Sequence, residues 1–302
     1  MIIWGISANS HDAALAVFDN DQLLFASHSE RFSKIKNDPH LNHKMIQYAK
    51  RLAGEPDLVC WYENPYWKFT RQLYAGQNIH ECWSDTDIKN YLRSYGINCP
   101  VTYGSHHESH AAAAYYTSPF DNCAVLCIDS IGEWNTTTVW KAGPNGVKKV
   151  WSQNYPNSIG LWYSAMTQRI GLKPNEEEYI LMGMAAYGDK HKLAERINDD
   201  FFDGTKTKIN LHRGCKWWAP ELQTEQDMFD IAAATQYIYE TKFRSLLYKA
   251  KELTGETRIA LAGGCALNCV ANDLAWVMFD DVWIFPNPGD AGSSVGAVLA
   301  ER

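Results

Sequence analysis

Apolar and polar positions along the chain fall into two matching runs. Residues 2–6 are apolar, Ser7-Ala8-Asn9-Ser10 is polar, residues 13–18 are apolar again, and Asp19-Asn20-Asp21 turns into Leu23-Leu24-Phe25-Ala26. Short apolar runs bounded by such residues predict strand, loop, strand, turn, strand. From Ala124 the pattern returns: residues 124–128, the loop Asp129-Ser130-Ile131-Gly132-Glu133, residues 136–140, the turn Pro144-Asn145-Gly146 and residues 148–151. A third apolar run, residues 259–262, enters Gly263-Gly264 and is expected to lead into a helix. Helical spacing predicts helices near 43–53 and 159–166, and one long helix over 224–253 carrying Ile231, Ala234, Ile238, Phe243 and Leu247. The alanine-rich stretch from His106 is a further helix.

The bulk numbers narrow the class. At 302 residues, 46% hydrophobic and 21% charged, the chain is globular and large enough for two lobes. A net charge of −7 leaves no global footprint for nucleic acid or an anionic membrane. Neither a signal segment nor an 18-residue apolar window is present, which predicts a cytoplasmic protein with no membrane role. The eight cysteines include no Cys-x-x-Cys pair and are expected as buried thiols. Twelve tryptophans and sixteen tyrosines cluster at residues 61–67, at Trp83 and at 217–218. Packing is their first expected use and stacking on sugars or bases their second.

The chemistry-bearing positions sit at the ends of these elements. In His106-His107-Glu108-Ser109-His110, the first and last histidines share one helix face and can both reach a cation at about 2 Å. Asp129 ends a predicted strand, and Asp290 lies in the loop Asn287-Pro288-Gly289-Asp290-Ala291-Gly292. Two histidines and two aspartates form a mixed N/O set suited to Fe2+ or Zn2+ rather than to Mg or Ca. The loops at 7–10 and 129–133 can offer backbone N–H groups to an anion, as can the bare backbone at Gly263-Gly264. Lys36, in a basic loop, is either solvated surface or a phosphate partner.

Two strand runs joined by matching polar loops imply a duplicated α/β architecture. It resembles the actin/hexokinase/heat-shock ATPase group, with two lobes, residues 1–120 and 121–302, around a nucleotide and metal cleft. The motifs His106-His107-x-x-His110-Ala, Asp129-x-x-Gly132-Glu133, Ser158-Ile159-Gly160-Leu161-x-Tyr163-Ser164 and Met182-Gly183-Met184-Ala185-Ala186-Tyr187-Gly188 go further. With Gly263-Gly264-Cys265-Ala266-Leu267-Asn268, the 287–292 loop, His11-Asp12 and Glu30-Arg31-Phe32-Ser33-x-x-Lys36, they resemble the O-carbamoyltransferases of the nodulation and tobramycin-carbamoylating type. The resemblance covers that family's N-terminal domain, itself similar to the protein that forms threonylcarbamoyladenosine on tRNA.

The resemblance implies a carbamoyltransferase that moves a carbamoyl group from carbamoyl-adenylate to an acceptor hydroxyl on a sugar, an antibiotic or a hydroxymethylated nucleobase. The donor is made from carbamoyl phosphate and ATP, with Mg2+, by a YrdC-like domain. No such domain follows the last motif before Arg302, so a separate protein or a longer enzyme is expected to supply it. Carried over, His106, His110, Asp129 and Asp290 hold the metal, while Gly132, Glu133, Gly263, Gly264 and Asn268 line the nucleotide site. Lys36 matches a basic residue near the phosphate, and His11 with Asp12 faces the acceptor, His11 as general base. One departure is Ile180, where the family usually has lysine. Two other readings remain open, a sugar kinase or ATPase on the same fold and a non-catalytic nucleotide-binding subunit.

Overall fold

The computed structural model describes residues 1–204, 206–208 and 215–301. The first strand run builds one five-stranded sheet. Its strands β1 (Ile2–Ser7), β2 (Ala14–Asp19), β3 (Gln22–His28), β4 (Leu58–Trp61) and β5 (Val101–Tyr103) lie in the order β3-β2-β1-β4-β5. The second run gives β6 (Cys123–Ile128), β7 (Asn135–Gly143) and β8 (Gly146–Asn154), followed by a short ribbon of β9 (Phe202–Asp203) and β10 (Lys206–Thr207). With β11 (Arg258–Ala262) and β12 (Asp281–Ile284) they form a sheet ordered β12-β11-β6-β7-β8. In each sheet the leading strand pairs antiparallel with a hairpin on one side. On the other side it heads two parallel strands. The duplication is thus real at the level of strand order and direction. β6 is buried at every position, as a central strand covered on both faces must be.

The long helix runs Glu225–Thr254, as its spacing predicts. A capping box between Thr224 and Asp227 starts it, and Gly255, at φ 71°, stops it. Ile231, Ala234, Ile238, Phe243 and Leu247 bury it against the second sheet. Gly263-Gly264 differs from expectation. Gly263 takes φ 83° so close to the second sheet that a Cβ there would lie 2.2 Å from the Ile128 carbonyl oxygen. The chain then makes a 3-10 turn, Gly264–Leu267, and the helix Cys269–Met278 starts only after Asn268, whose side chain accepts from the Ala271 N–H.

Two helices join the sheets. Along His106–Tyr116, Ala111 and Ala114 pack with Val125, Cys127 and Trp140 of the second sheet, while Ala112 joins the first sheet's core. A helix enclosed on all sides needs small residues rather than one apolar stripe, which accounts for the alanine run. The helix Ser293–Leu299 follows the second sheet in sequence, yet Val295, Val298 and Leu299 pack with Trp4, Ile6 and Leu15 of the first. Burying such side chains fully is worth about 1.5–3 kcal/mol each. The contact is backbone to backbone: a Cβ on Gly296 would sit 1.7 Å from the Ser109 carbonyl oxygen of the histidine helix. Trp61 and Tyr62 are core, whereas Tyr66, Trp67, Trp83 and Trp217 are exposed. Cys60, Cys82, Cys123 and Cys127 are buried free thiols as expected, whereas Cys99 and Cys265 are half-buried and Cys269 is exposed. Among the described residues no helix is long and apolar enough to cross a membrane.

The Gly296 contact predicts a large stability effect. Gly296→Ala must push two helices apart and is expected to cost about 3 kcal/mol. A denaturant midpoint equal to wild type, at unchanged slope, would refute the close-packing argument.

Candidate metal centre

The histidine helix begins at Ser105, whose side chain does not cap it. Glu133 does that work: its Oε1 accepts the backbone N–H groups of His106 at 3.0 Å and of Asn64 at 2.8 Å. A carboxylate at a helix N-terminus also meets the positive end of the helix dipole. The cap fixes the first turn, and the four-residue spacing then brings His106 and His110 over one another, with Nε2 atoms 3.1 Å apart. Asp129, at the tip of β6, places Oδ2 2.9 Å from His106 Nε2 and 3.8 Å from His110 Nε2. Asp290, from the loop before the last helix, places Oδ1 3.4 Å from both nitrogens. All four ligand atoms lie within 4.8 Å of one another.

The separations of 2.9–3.8 Å that involve the imidazole nitrogens fit a cation. A metal about 2.0–2.1 Å from each ligand holds neighbouring ligand atoms about 3.0 Å apart at a right angle and about 3.4 Å apart at the tetrahedral angle. The far side of each ring fits too. His110 Nδ1 meets Ser293 Oγ at 3.2 Å, and His106 Nδ1 faces Glu63 Oε2 at 3.7 Å. Both Nε2 atoms are therefore left pointing at the carboxylates, the orientation that metal-binding histidines require. Burial opposes every charge in the group, yet opposite charges win. Burial alone would raise the Asp129 carboxyl, but His106 and His110 hold it well below the usual range. Asp290 is held low by the same histidines against burial and against Asp129. Burial would likewise depress His106 and His110, and the two aspartates raise both. His107 points elsewhere, with Nδ1 2.9 Å from Thr138 Oγ1, and burial lowers it well below an ordinary histidine.

The other sequence candidates surround this quartet at different ranges. Gly264 N–H donates to Asp129 Oδ1 at 3.2 Å, so the Gly-Gly turn braces a ligand directly. Gly132 leaves room for the rings: a Cβ there would be 3.0 Å from both His106 and His107. Asn268 is further off, exchanging amide hydrogen bonds with Gln236 at 2.9 and 3.1 Å. Lys36 stands over the Tyr179 ring at 5.7 Å. Among the described residues, no hydrogen bond or ion pair joins Lys36 or Asn268 to the quartet. His11 pairs Nδ1 with Asp12 Oδ2 at 3.1 Å, its Nε2 is buried, and the Asn175 backbone also favours the protonated ring. The Asp12 bond raises His11 to a pKa of about 9, against burial and with help from the charges of Asp12 and Asp290.

Sequence reasoning missed Glu63, Tyr62 and Ser293. Glu63 is 4% exposed and holds Lys68 Nζ at 2.7 Å, and the Tyr62 ring lies 5.3 Å from His106. The signal was available: like Asp129, Glu63 is the first acid beyond the C-terminal end of a buried strand.

Comparison with known proteins adds the family. Residues 75–299 match the family model described as "Carbamoyltransferase N-terminus". An uncharacterized protein of Synechocystis sp. is 34% identical across 99% of this chain and 56% of its own length. The 3'-hydroxymethylcephem-O-carbamoyltransferase of Streptomyces clavuligerus is 24% identical across 96% of this chain and 57% of its own. The chain thus spans about half the length of the curated relatives it matches. Full-length HypF, solved in a phosphate- and nucleotide-bound form, superposes with a TM-score of 0.53 at 13% identity, over 99% of this chain and 55% of its own. That likeness is one of fold, the two-lobed actin/hexokinase-like fold expected from the repeated strand runs. Together the match over three quarters of the sequence and the relative at 34% identity establish that the chain belongs to the carbamoyltransferase N-terminus family.

Proposed function

We propose that this chain is the transfer half of an O-carbamoyltransferase. It moves the carbamoyl group of carbamoyl-adenylate to an acceptor hydroxyl in the cleft between a first lobe, residues 1–120, and a second, residues 121–302. The observation that carries the reading is the quartet of buried His106, His110 and Asp129 with half-buried Asp290, found in a chain of this family. Its N/O donor set suits Fe2+ or Zn2+. A sugar kinase would instead bind Mg2+ through carboxylates and water, with no use for paired imidazoles.

When bound, the metal supplies a Lewis acid that polarises the carbamoyl carbonyl and neutralises the leaving phosphate. The chain's own residues do the rest. Gly132, Glu133, Gly263-Gly264 and Asn268 line the nucleotide side, and Lys36 offers a cation to the phosphate. Asp12 holds the His11 ring by Nδ1, which leaves Nε2 to take the proton of the acceptor hydroxyl. The hydroxyl oxygen bonds to the carbamoyl carbon, the bond from that carbon to the phosphate oxygen breaks, and AMP leaves with the electron pair. The donor comes from carbamoyl phosphate and Mg2+-ATP through a YrdC-like domain or subunit, in the cytoplasm where those metabolites are made. The acceptor is a sugar, antibiotic or nucleobase hydroxyl. The cephem enzyme named above, whose name specifies a hydroxymethyl acceptor, supports the choice of a hydroxyl.

Supplied with carbamoyl-adenylate, the protein is expected to release AMP in step with carbamoylation of an added hydroxyl acceptor. With ATP supplied in its place, ADP release and a phosphorylated acceptor would establish the kinase reading instead. No turnover with any acceptor would favour a non-catalytic nucleotide-binding subunit.

Protein purified without chelator is expected to carry one iron or zinc per chain, measured by elemental analysis. His110→Ala, which removes a ligand, is expected to lose it. Equal metal content in the two proteins would remove the quartet from metal binding.

The His11 pKa fixes a pH dependence. At about 9 it leaves His11 protonated near neutrality, so a base role makes log kcat/KM climb from pH 7 and level off near 9. Asp12→Asn removes the main cause of the rise, returning the pKa towards 6.5 and moving the climb to lower pH. Profiles that are flat from pH 7 to 9 in both proteins would exclude His11 as the base.

A further inference from the structure

Glu63 and Lys68 form a buried ion pair beside the quartet that the chemistry above does not use. Glu63 is 4% exposed, Lys68 Nζ lies 2.7 Å from its Oε1, and the lysine side chain is only 12% exposed. The other carboxylate oxygen, Oε2, lies 3.7 Å from Nδ1 of His106, a nitrogen that is buried and makes no hydrogen bond among the described residues. The backbone around Glu63 is fixed on three sides. Tyr62 N–H donates to the Ile6 carbonyl at 3.1 Å, Asn64 N–H donates to Glu133, and the Asn64 side chain caps the helix Pro65–Tyr74 that carries Lys68. Lys68 Nζ also donates to the Asn9 carbonyl at 3.1 Å, which ties it to the loop bearing His11.

A buried carboxylate costs stability unless it is paired. Lys68 answers that need through one oxygen only, and the second oxygen is turned on the imidazole whose Nε2 points into the quartet. A carboxylate on the far nitrogen of a metal-binding histidine fixes its tautomer and ring orientation and increases its basicity. We infer that Glu63 is a positioning residue for the metal centre, acting on the cation through His106, and that Lys68 holds Glu63 in place. The inference rests on the metal-centre reading above.

The test titrates apo-protein with Zn2+ against a fluorescent chelator and records the visible spectrum of the Co2+-loaded form. Glu63→Gln keeps the shape and removes the negative charge. It is expected to weaken Zn2+ binding about 10–100-fold and to shift the Co2+ spectrum. Because the single change leaves Lys68 buried without its partner, the double variant Glu63→Gln/Lys68→Met is measured alongside and is expected to show the same loss. If both variants bind Zn2+ as tightly as wild type with an unaltered Co2+ spectrum, Glu63 is only a structural ion pair and the inference is overturned. Wild-type protein that takes up neither metal would overturn the metal-centre reading and this inference with it.

Discussion

The structure depends on holding two carboxylates and two imidazoles together out of water. Buried Asp129 and half-buried Asp290 repel each other, and each loses hydration that its charge would otherwise keep. Only positive charge between them reverses that, and it must be brought from a different part of the chain. His106 and His110 come from a helix, Asp129 from the end of a central strand, and Asp290 from a loop more than half the chain away. The fold can be understood as the arrangement that lets those pieces meet. Enclosing the histidine helix demands alanine on its other faces, and bracing Asp129 brings in the Gly264 N–H.

Around that centre the two sheets contribute unequally. The second supplies Asp129 and, through the loop beyond it, the room at Gly132 and the helix cap at Glu133. The first supplies no atom of the quartet, but its strand ends carry His11 with Asp12 and the Glu63–Lys68 pair. The duplicated loops have thus diverged in task. The polar loop after β1 presents a histidine held by its neighbouring acid, and the one after β6 presents a ligand and a cap.

Much of this was legible in the sequence, for reasons that can be named. Short apolar runs bounded by polar turns located the strands of the two repeats because a buried strand leaves that signature. The quartet was legible because the paired histidines at helical spacing stand among motifs, Asp129 and Asp290 with them, that resemble the carbamoyltransferase family. Glu133 is readable as a motif residue, yet its observed bonds to His106 and Asn64 depend on how two loops meet, which no local pattern encodes. Glu63 hid within an aromatic run that drew attention to stacking. The delayed helix after Gly263-Gly264 was invisible for a similar reason: the backbone turns there against Ile128, a residue far away in sequence.

The helix Ser293–Leu299 has a consequence for how the protein is made. Trp4, Ile6 and Leu15 are synthesised early, but Val295, Val298 and Leu299, which cover them, emerge only after the second sheet has been translated. The first sheet cannot finish its core as it leaves the ribosome, so its apolar face waits through the synthesis of the entire second sheet. Contacts that span so much sequence slow folding and prolong the exposure of aggregation-prone surface. Asp290 arrives in the same late segment, a few residues before the helix. Closing the oldest part of the core and completing the charge quartet are therefore one event, and it follows the synthesis of both sheets.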